Sequence, residues 1–413
     1  AGIGDQADAK NPLAAKTPHL VPRAKRVIFL FMHGGVSQVD SFDPKPKLTE
    51  LDGQQLPQSW VQLPVPFGQG LKKDKPLPLL RSPWKFKQYG ESGAWASELF
   101  PHVGEVADNL CFIKSMYSNN NAHTPATLEL HTGTQTFMRP SVGAWVTYGL
   151  GTENRNLPSF VVLPDPKGQS VDGVRNWSSG WLPPQYQGTV FREQGSPVLH
   201  LQPTKPRSQP VTDARFRLLK QLNERHLAER PGELELEARI ANFELAARMQ
   251  LSATDALDLK SETAETQALY GLDNPATKSY GARCLMARRL VERGVRFVQL
   301  FMRGQPWDTH SSNTSGLTKV CGQTDGPVGA LLTDLKRRGL FESTIVQWGG
   351  EFGRTPVSQG GNDGRDHNPQ GYTMWMAGGG INGGRAYRKS IAVVNTTDVE
   401  VNDYLSIRNI FGY

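Results

Sequence analysis

Cysteine is scarce: 413 residues hold only Cys111, Cys284 and Cys321. Their spacing forms no CxxC pair and no metal knuckle, which removes a disulfide-stapled scaffold and a thiolate metal site. Cys111 falls in an apolar run and Cys284 in a helical one, so buried free thiols are expected, with at most one disulfide. Long hydrophobic runs are missing too; no stretch approaches the roughly 20 apolar residues of a transmembrane segment. Four signatures are absent: GxSxG, GxxxxGK[ST], HExxH, and GxGxxG after the first strand-like run. Lipase-type, P-loop, zincin and dinucleotide readings lose their support. No repeat of fixed period occurs. Charge of one sign is only mildly in excess, at +7 formally, and its densest patch is Lys72-Lys73-Asp74-Lys75. No recognition motif accompanies it, so a solvated surface is expected and no nucleic acid partner.

The hydrophobic content of 38% and charged content of 21% are those of a soluble globular protein long enough for a large core. The organising stretch is Arg26-Val-Ile-Phe-Leu-Phe-Met-His33-Gly34-Gly35. A continuous β-branched and aromatic run predicts a strand buried on both faces. Ligands of an open parallel sheet sit beyond the carboxyl ends of its strands, which places His33 in that crevice.

Further along, Leu110–Met116, Ser159–Pro164, Val295–Phe301, Thr344–Trp348 and Tyr372–Ala377 read as strands. Helices are expected over 97–108, 126–132, 140–151, 280–293, 327–338 and 403–411. This alternation predicts an α/β fold with a mainly parallel central sheet flanked by helices. Residues 1–25 read as a polar arm and 26–413 as a single domain with two insertions. One, near 45–95, is rich in Pro and Gly, without sustained periodicity. The other, near 211–275, is helical and amphipathic, which predicts packing. The chain opens Ala-Gly-Ile-Gly without Met, a start like that of a mature chain after signal removal. Export to the periplasm or beyond the cell is therefore expected.

Metal-competent side chains gather at the strand-to-loop junctions: His33, His123, Asp308, His310, Glu351, Asp366 and His367. Asp308 and His310 are two apart, so in an extended loop they face one way and can grip one ion. Glu351 ends a buried strand, where an unpaired carboxylate is costly, so it needs a cation or an Arg such as Arg354. A site for a metal or an anion follows from this gathering of acids and bases. Imidazole with carboxylate suits zinc or manganese, and carboxylates with carbonyls suit calcium.

Several motifs together resemble a known family. They are Phe42-Asp43-Pro44-Lys45, Ser82-Pro-Trp-Lys-Phe-Lys-Gln, Trp307-Asp-Thr-His310, Gly350-Glu-Phe-Gly-Arg-Thr-Pro356, Gly364-Arg-Asp-His-Asn-Pro369 and Ala377-Gly-Gly-Gly-Ile381. They resemble an exported bacterial family, the domain of unknown function 1501, over nearly the whole chain. That family in turn resembles the alkaline phosphatase and sulfatase superfamily. The resemblance implies an alkaline phosphatase-like fold and one or two divalent ions. It implies metal ligands at His33, Asp308, His310, Glu351 and His367. His33-Gly34 stands where the superfamily has Asp-Gly, and Glu351-Phe352-Gly353 where it has Asp-His-Gly or Asp-Asn-Gly. The nucleophile slot falls on His123, ahead of Thr124-Pro125 and Thr132-Gly133. No Cys occupies it, which excludes formylglycine chemistry, and Thr127 stands where a sulfatase has Arg. The implied activity is metal-assisted hydrolysis of a phosphate or sulfate ester, small or polysaccharide. Its nucleophile would be His123, Thr124 or water, and Arg354 would clamp the anion. The rival expectation is a non-catalytic binding or extracellular assembly protein, self-associating or partnered, that keeps the fold.

Overall fold

Arg26–Phe31 forms strand β1, whose last four residues are buried. The computed structural model describes residues 13–18, 20–55, 78–193, 208–359 and 363–387. The expected helix at 403–411 and the Lys72–Lys75 patch lie outside the described residues, as does part of the 45–95 insertion. In chain order the further strands are β2 (Phe86–Tyr89), β3 (Ala94–Ser97), β4 (Leu110–Met116), β5 (Phe160–Leu163), β6 (Thr189–Val190) and β7 (Phe297–Leu300). After them come β8 (Thr344–Gly349), β9 (Gly353–Ser358), β10 (Arg365–Asn368), β11 (Tyr372–Ala377) and β12 (Arg385–Tyr387).

Eight strands make one sheet in the order β12-β4-β11-β8-β1-β7-β5-β6. β1 is central and pairs in parallel with both β7 and β8. β11 alone runs against its neighbours β4 and β8. The sheet is thus mixed and mainly parallel. Alternation along β1 feeds two cores. Ile28 and Leu30 pack with helices Lys278–Glu292 and Asn313–Arg337 on one face. Phe29 and Phe31 pack with helix His123–Thr132 on the other. Ile28, Leu30 and Phe31 are wholly buried, each stabilising by about 1.5–3 kcal/mol.

Three elements depart from the sequence expectation. The helix expected to start at Pro327 starts at Asn313 and carries Pro327 inside. Leu317, Val320, Cys321, Val328, Leu331 and Leu335 repeat at helical spacing and are buried, and that burial outweighs the lost proline hydrogen bond. The polar stretch after Glu351 is the β9–β10 hairpin, not loop. Within the 45–95 insertion, β2 and β3 form a second hairpin.

The helical region consists of Gln209–Ala228, Leu234–Leu257 and Ala264–Leu269. In the first of these Val211, Leu218, Leu219 and Leu222 are exposed rather than packed. All three cysteines are buried and free. Among the described residues no helix is long and apolar enough to cross a membrane.

Candidate metal centre

The metal-competent residues leave the sheet at one edge. β1, β4, β7 and β8 run the same way, and each ends shortly before its own loop: His33, His123, Asp308 with His310, and Glu351 respectively. His367 lies on β10, just before β11, and arrives at the same edge because β11 is reversed. A register shift between Arg365 and His367 marks a bulge there, a device that re-aims a side chain.

Three of these side chains meet at the Asp308 carboxylate. Its Oδ1 is 2.9 Å from His310 Nε2, 3.3 Å from His367 Nε2 and 3.4 Å from His123 Nε2. His33, His123 and Glu351 form a second group that shares the His123 ring. Either group has the ligand types and closeness to hold a metal ion.

The far nitrogen of each ring is committed elsewhere. His367 Nδ1 donates to the Asn121 carbonyl (2.6 Å) and His310 Nδ1 to Gln359 Oε1 (2.5 Å). His123 Nδ1 donates to Glu351 Oε1 (2.5 Å). Phe352 packs against both His123 and His367, with ring centroids 4.8 and 4.6 Å away.

The 308–310 loop is pinned from both sides. Trp307 is buried in the core beside Trp348. Thr309 donates its hydroxyl to Asn313 Oδ1 (2.8 Å) and its carbonyl accepts from the Arg365 N–H (3.1 Å). Gly34 has φ +119°, and a Cβ there would stand 2.6 Å from the Asp308 backbone nitrogen. Only glycine lets β1's loop approach that closely.

Arg354, expected as the anion clamp, is wholly buried. It donates to the carbonyls of Gly35 (2.9 Å), Arg365 (3.1 Å) and Gly34, and to Asp308 Oδ1 (2.5 Å). His33 is wholly buried, with Nε2 3.3 Å from the Thr127 hydroxyl and 3.9 Å from Glu351. Thr124 sits in the first turn of helix His123–Thr132.

Electrostatics follow the same contacts. Burial works against ionisation of Asp308, but His123, His310, His367 and Arg354 outweigh it and hold its carboxyl far below the usual range. Burial likewise opposes charge on His123, yet Asp308 and Glu351 raise the ring above its ordinary value. Asp308 raises His310. Burial lowers His367 and His33. Glu351 stays below its ordinary value despite burial because His33 and His123 favour its anion.

Sequence reasoning missed the acceptors Asn121 and Gln359, because loop amides carry no pattern that marks them. It also missed Asp172, whose φ of +67° makes it the only non-glycine residue in the left-handed region among those described. Burial raises the Asp172 carboxyl, while Arg175, Thr124 and His33 act the other way.

Comparison with solved structures gives distant likenesses. Ps i-CgsB in complex with k-i-k-neocarrahexaose is 10% identical, covering 90% of this chain and 70% of that one at a TM-score of 0.38. The lipoteichoic acid synthase LtaP of Listeria monocytogenes is 8% identical, covering 92% and 73% at 0.32. The alkaline phosphatase of the Antarctic bacterium TAB5 is 10% identical, covering 87% and 92% at 0.33. No curated protein sequence matches the chain. The family described as "Protein of unknown function (DUF1501)" matches residues 24–411, and the chain belongs to that family.

Proposed function

We propose that the protein is an exported, metal-dependent hydrolase of phosphate or sulfate esters, with a divalent ion held by His123, Asp308, His310 and His367. One observation carries this reading. Carbonyl or carboxylate acceptors take up Nδ1 of each ring, so all three rings turn Nε2 toward one carboxylate oxygen. His123 Nε2 is buried and has no hydrogen-bond partner. Protons on Nε2 or a metal ion can stand between these atoms, and a metal ion would take the place of the protons that Asp308 favours on His123 and His310. Two atoms bound tetrahedrally at roughly 2.0–2.1 Å stand about 3.3 Å apart. The His367 and His123 separations of 3.3 and 3.4 Å fit that spacing, and His310 stands closer, at 2.9 Å. A divalent ion there would supply Lewis acidity toward an ester oxygen.

The chain's own residues do the rest. His123 is engaged at both nitrogens, which leaves the Thr124 hydroxyl or water as nucleophile. Arg354 spends its donors on carbonyls and Asp308, so it positions Asp308 rather than clamping substrate. Phe352 shields one side of the rings from water.

A second reading rests on that same arginine. The Arg354–Asp308 contact of 2.5 Å already balances the carboxylate, as a non-catalytic binding protein would need.

Elemental analysis of the purified full chain separates the two. The hydrolase reading expects stoichiometric zinc, manganese or calcium, lost in Asp308→Ala and His367→Ala with the far-ultraviolet circular dichroism intact. It also expects turnover of p-nitrophenyl phosphate or sulfate that falls at least 100-fold in Thr124→Ala if Thr124 attacks. A wild type that takes up no ion after soaking rules out the metal mechanism.

A further inference from the structure

Glu351 sits at the end of β8, wholly buried, where a carboxylate needs a partner. Its Oε1 accepts from His123 Nδ1 at 2.5 Å, and both its oxygens accept from the Gly34 N–H, at 3.0 and 3.2 Å. The other nitrogen of the same ring, His123 Nε2, points the opposite way and stands 3.4 Å from Asp308 Oδ1. One imidazole therefore spans both groups of metal-competent residues.

We propose that Glu351 is a positioning residue and not a ligand: it fixes His123 as the Nδ1–H tautomer and aims the Nε2 lone pair at Asp308, His310 and His367. This inference rests on the ion site proposed above.

The distances separate the two roles. Two atoms bound to one ion at roughly 2.0–2.2 Å, at right angles or wider, stand about 3 Å apart. Glu351 Oε1 and His123 Nδ1 are closer than that, at 2.5 Å, which is the length of a charge-assisted hydrogen bond. A neutral imidazole has one N–H and one lone pair, so a proton held on Nδ1 puts the lone pair on Nε2. The backbone completes the device. The Gly34 N–H holds the carboxylate, and Gly34 itself abuts the backbone of Trp307 and Asp308. The group that orients the ring is thereby tied to the loop that carries the facing ligand. A carboxylate behind a ligating ring also raises its basicity, and loss of such a partner typically lowers metal affinity 10–100-fold.

The test uses the full chain labelled with ¹⁵N-histidine, free of metal and at alkaline pH, where the ring is neutral. Comparison with His123→Gln identifies the His123 signal. The expected spectrum shows His123 protonated at Nδ1, with the proton shifted downfield by a short hydrogen bond; in Glu351→Gln this signature moves. His123 found as the Nε2–H tautomer overturns the inference, and this readout needs no ion to bind and only the assignment variant His123→Gln to fold. Titration with Zn²⁺ adds a second arm. The expected result is the same number of ions per chain in Glu351→Gln as in wild type, bound 10–100-fold more weakly, with the Co²⁺ absorption bands unchanged in shape. Loss of one ion per chain makes Glu351 a ligand and overturns the inference. If the wild type binds no ion while His123 remains the Nδ1–H tautomer, the ion site fails and the positioning role stands.

Discussion

His131 lies on the helix that starts with His123, one turn beyond Thr127. Its ring packs against Phe29, Phe31 and Phe301, and its Nδ1 donates to the Thr127 carbonyl (2.8 Å). Nε2 is buried without a partner. Burial, the largest influence, pushes its pKa from 6.5 down to about 4. The sign of the linkage follows. Between pH 6.5 and 4 the unfolded chain binds a proton that the folded chain refuses. Stability is therefore complete above pH 6.5 and lost as pH falls toward 4, by about 3 kcal/mol at 1.36 kcal/mol per pKa unit. His131→Leu is expected to flatten that acid limb by a similar amount, read from urea unfolding at several pH values. A limb as steep as in wild type would show that another group carries the acid sensitivity.

Among the elements, the β9–β10 hairpin is tied down by a buried ion pair. Arg365 pairs with Asp40 through two contacts, Nε to Oδ2 at 2.7 Å and Nη2 to Oδ1 at 3.1 Å, and both residues are wholly buried. Ser37 and Asn313 also donate to Asp40, so one carboxylate ties the loop after β1, the hairpin and the start of helix Asn313–Arg337 together. Arg365→Met leaves that carboxylate buried and uncompensated. It is expected to cost about 3–5 kcal/mol in chemical denaturation, with partial recovery in Asp40→Asn/Arg365→Met. An equal loss in the double variant would mean that the arginine acts through packing instead.

This hairpin also shows where the sequence stops being legible. Apolar runs such as Leu110–Met116 mark their strands residue for residue, because burial on both faces demands continuous hydrophobicity. Gly353–Ser358 is buried throughout yet contains arginine, threonine and proline. Its burial is satisfied by partners far away in the chain, which no local pattern encodes. The same limit applies at the candidate site. That His33, His123, Asp308, His310 and Glu351 gather could be read from their places after strands; His367 lies within β10 and joins them beside a bulge. That His123 faces two groups at once could not, because ring orientation depends on Glu351 and Asp308 together.

Across the whole molecule, the proposed ion would join three separate parts of the chain: the helix after β4, the loop after β7 with two ligands, and the β10 hairpin. Binding only to the folded state, it stabilises by mass action. Removal of the ion by a chelator is expected to lower Tm by several degrees, and adding back the same ion should restore it. A Tm indifferent to chelation would argue for an ion-free network closed by Arg354.

The placement of β1 between β7 and β8 has a further consequence for how the chain is made. A ribosome delivers Arg26–Phe31 early, yet the two strands that cover its edges come only with Phe297–Leu300 and Thr344–Gly349. While the residues between are being made, an apolar strand waits with both sides unpaired, a template for pairing with other chains. The centre of the sheet cannot close until β8 has been made. The newborn chain therefore depends on being kept apart from its siblings until Phe297–Leu300 and Thr344–Gly349 have arrived.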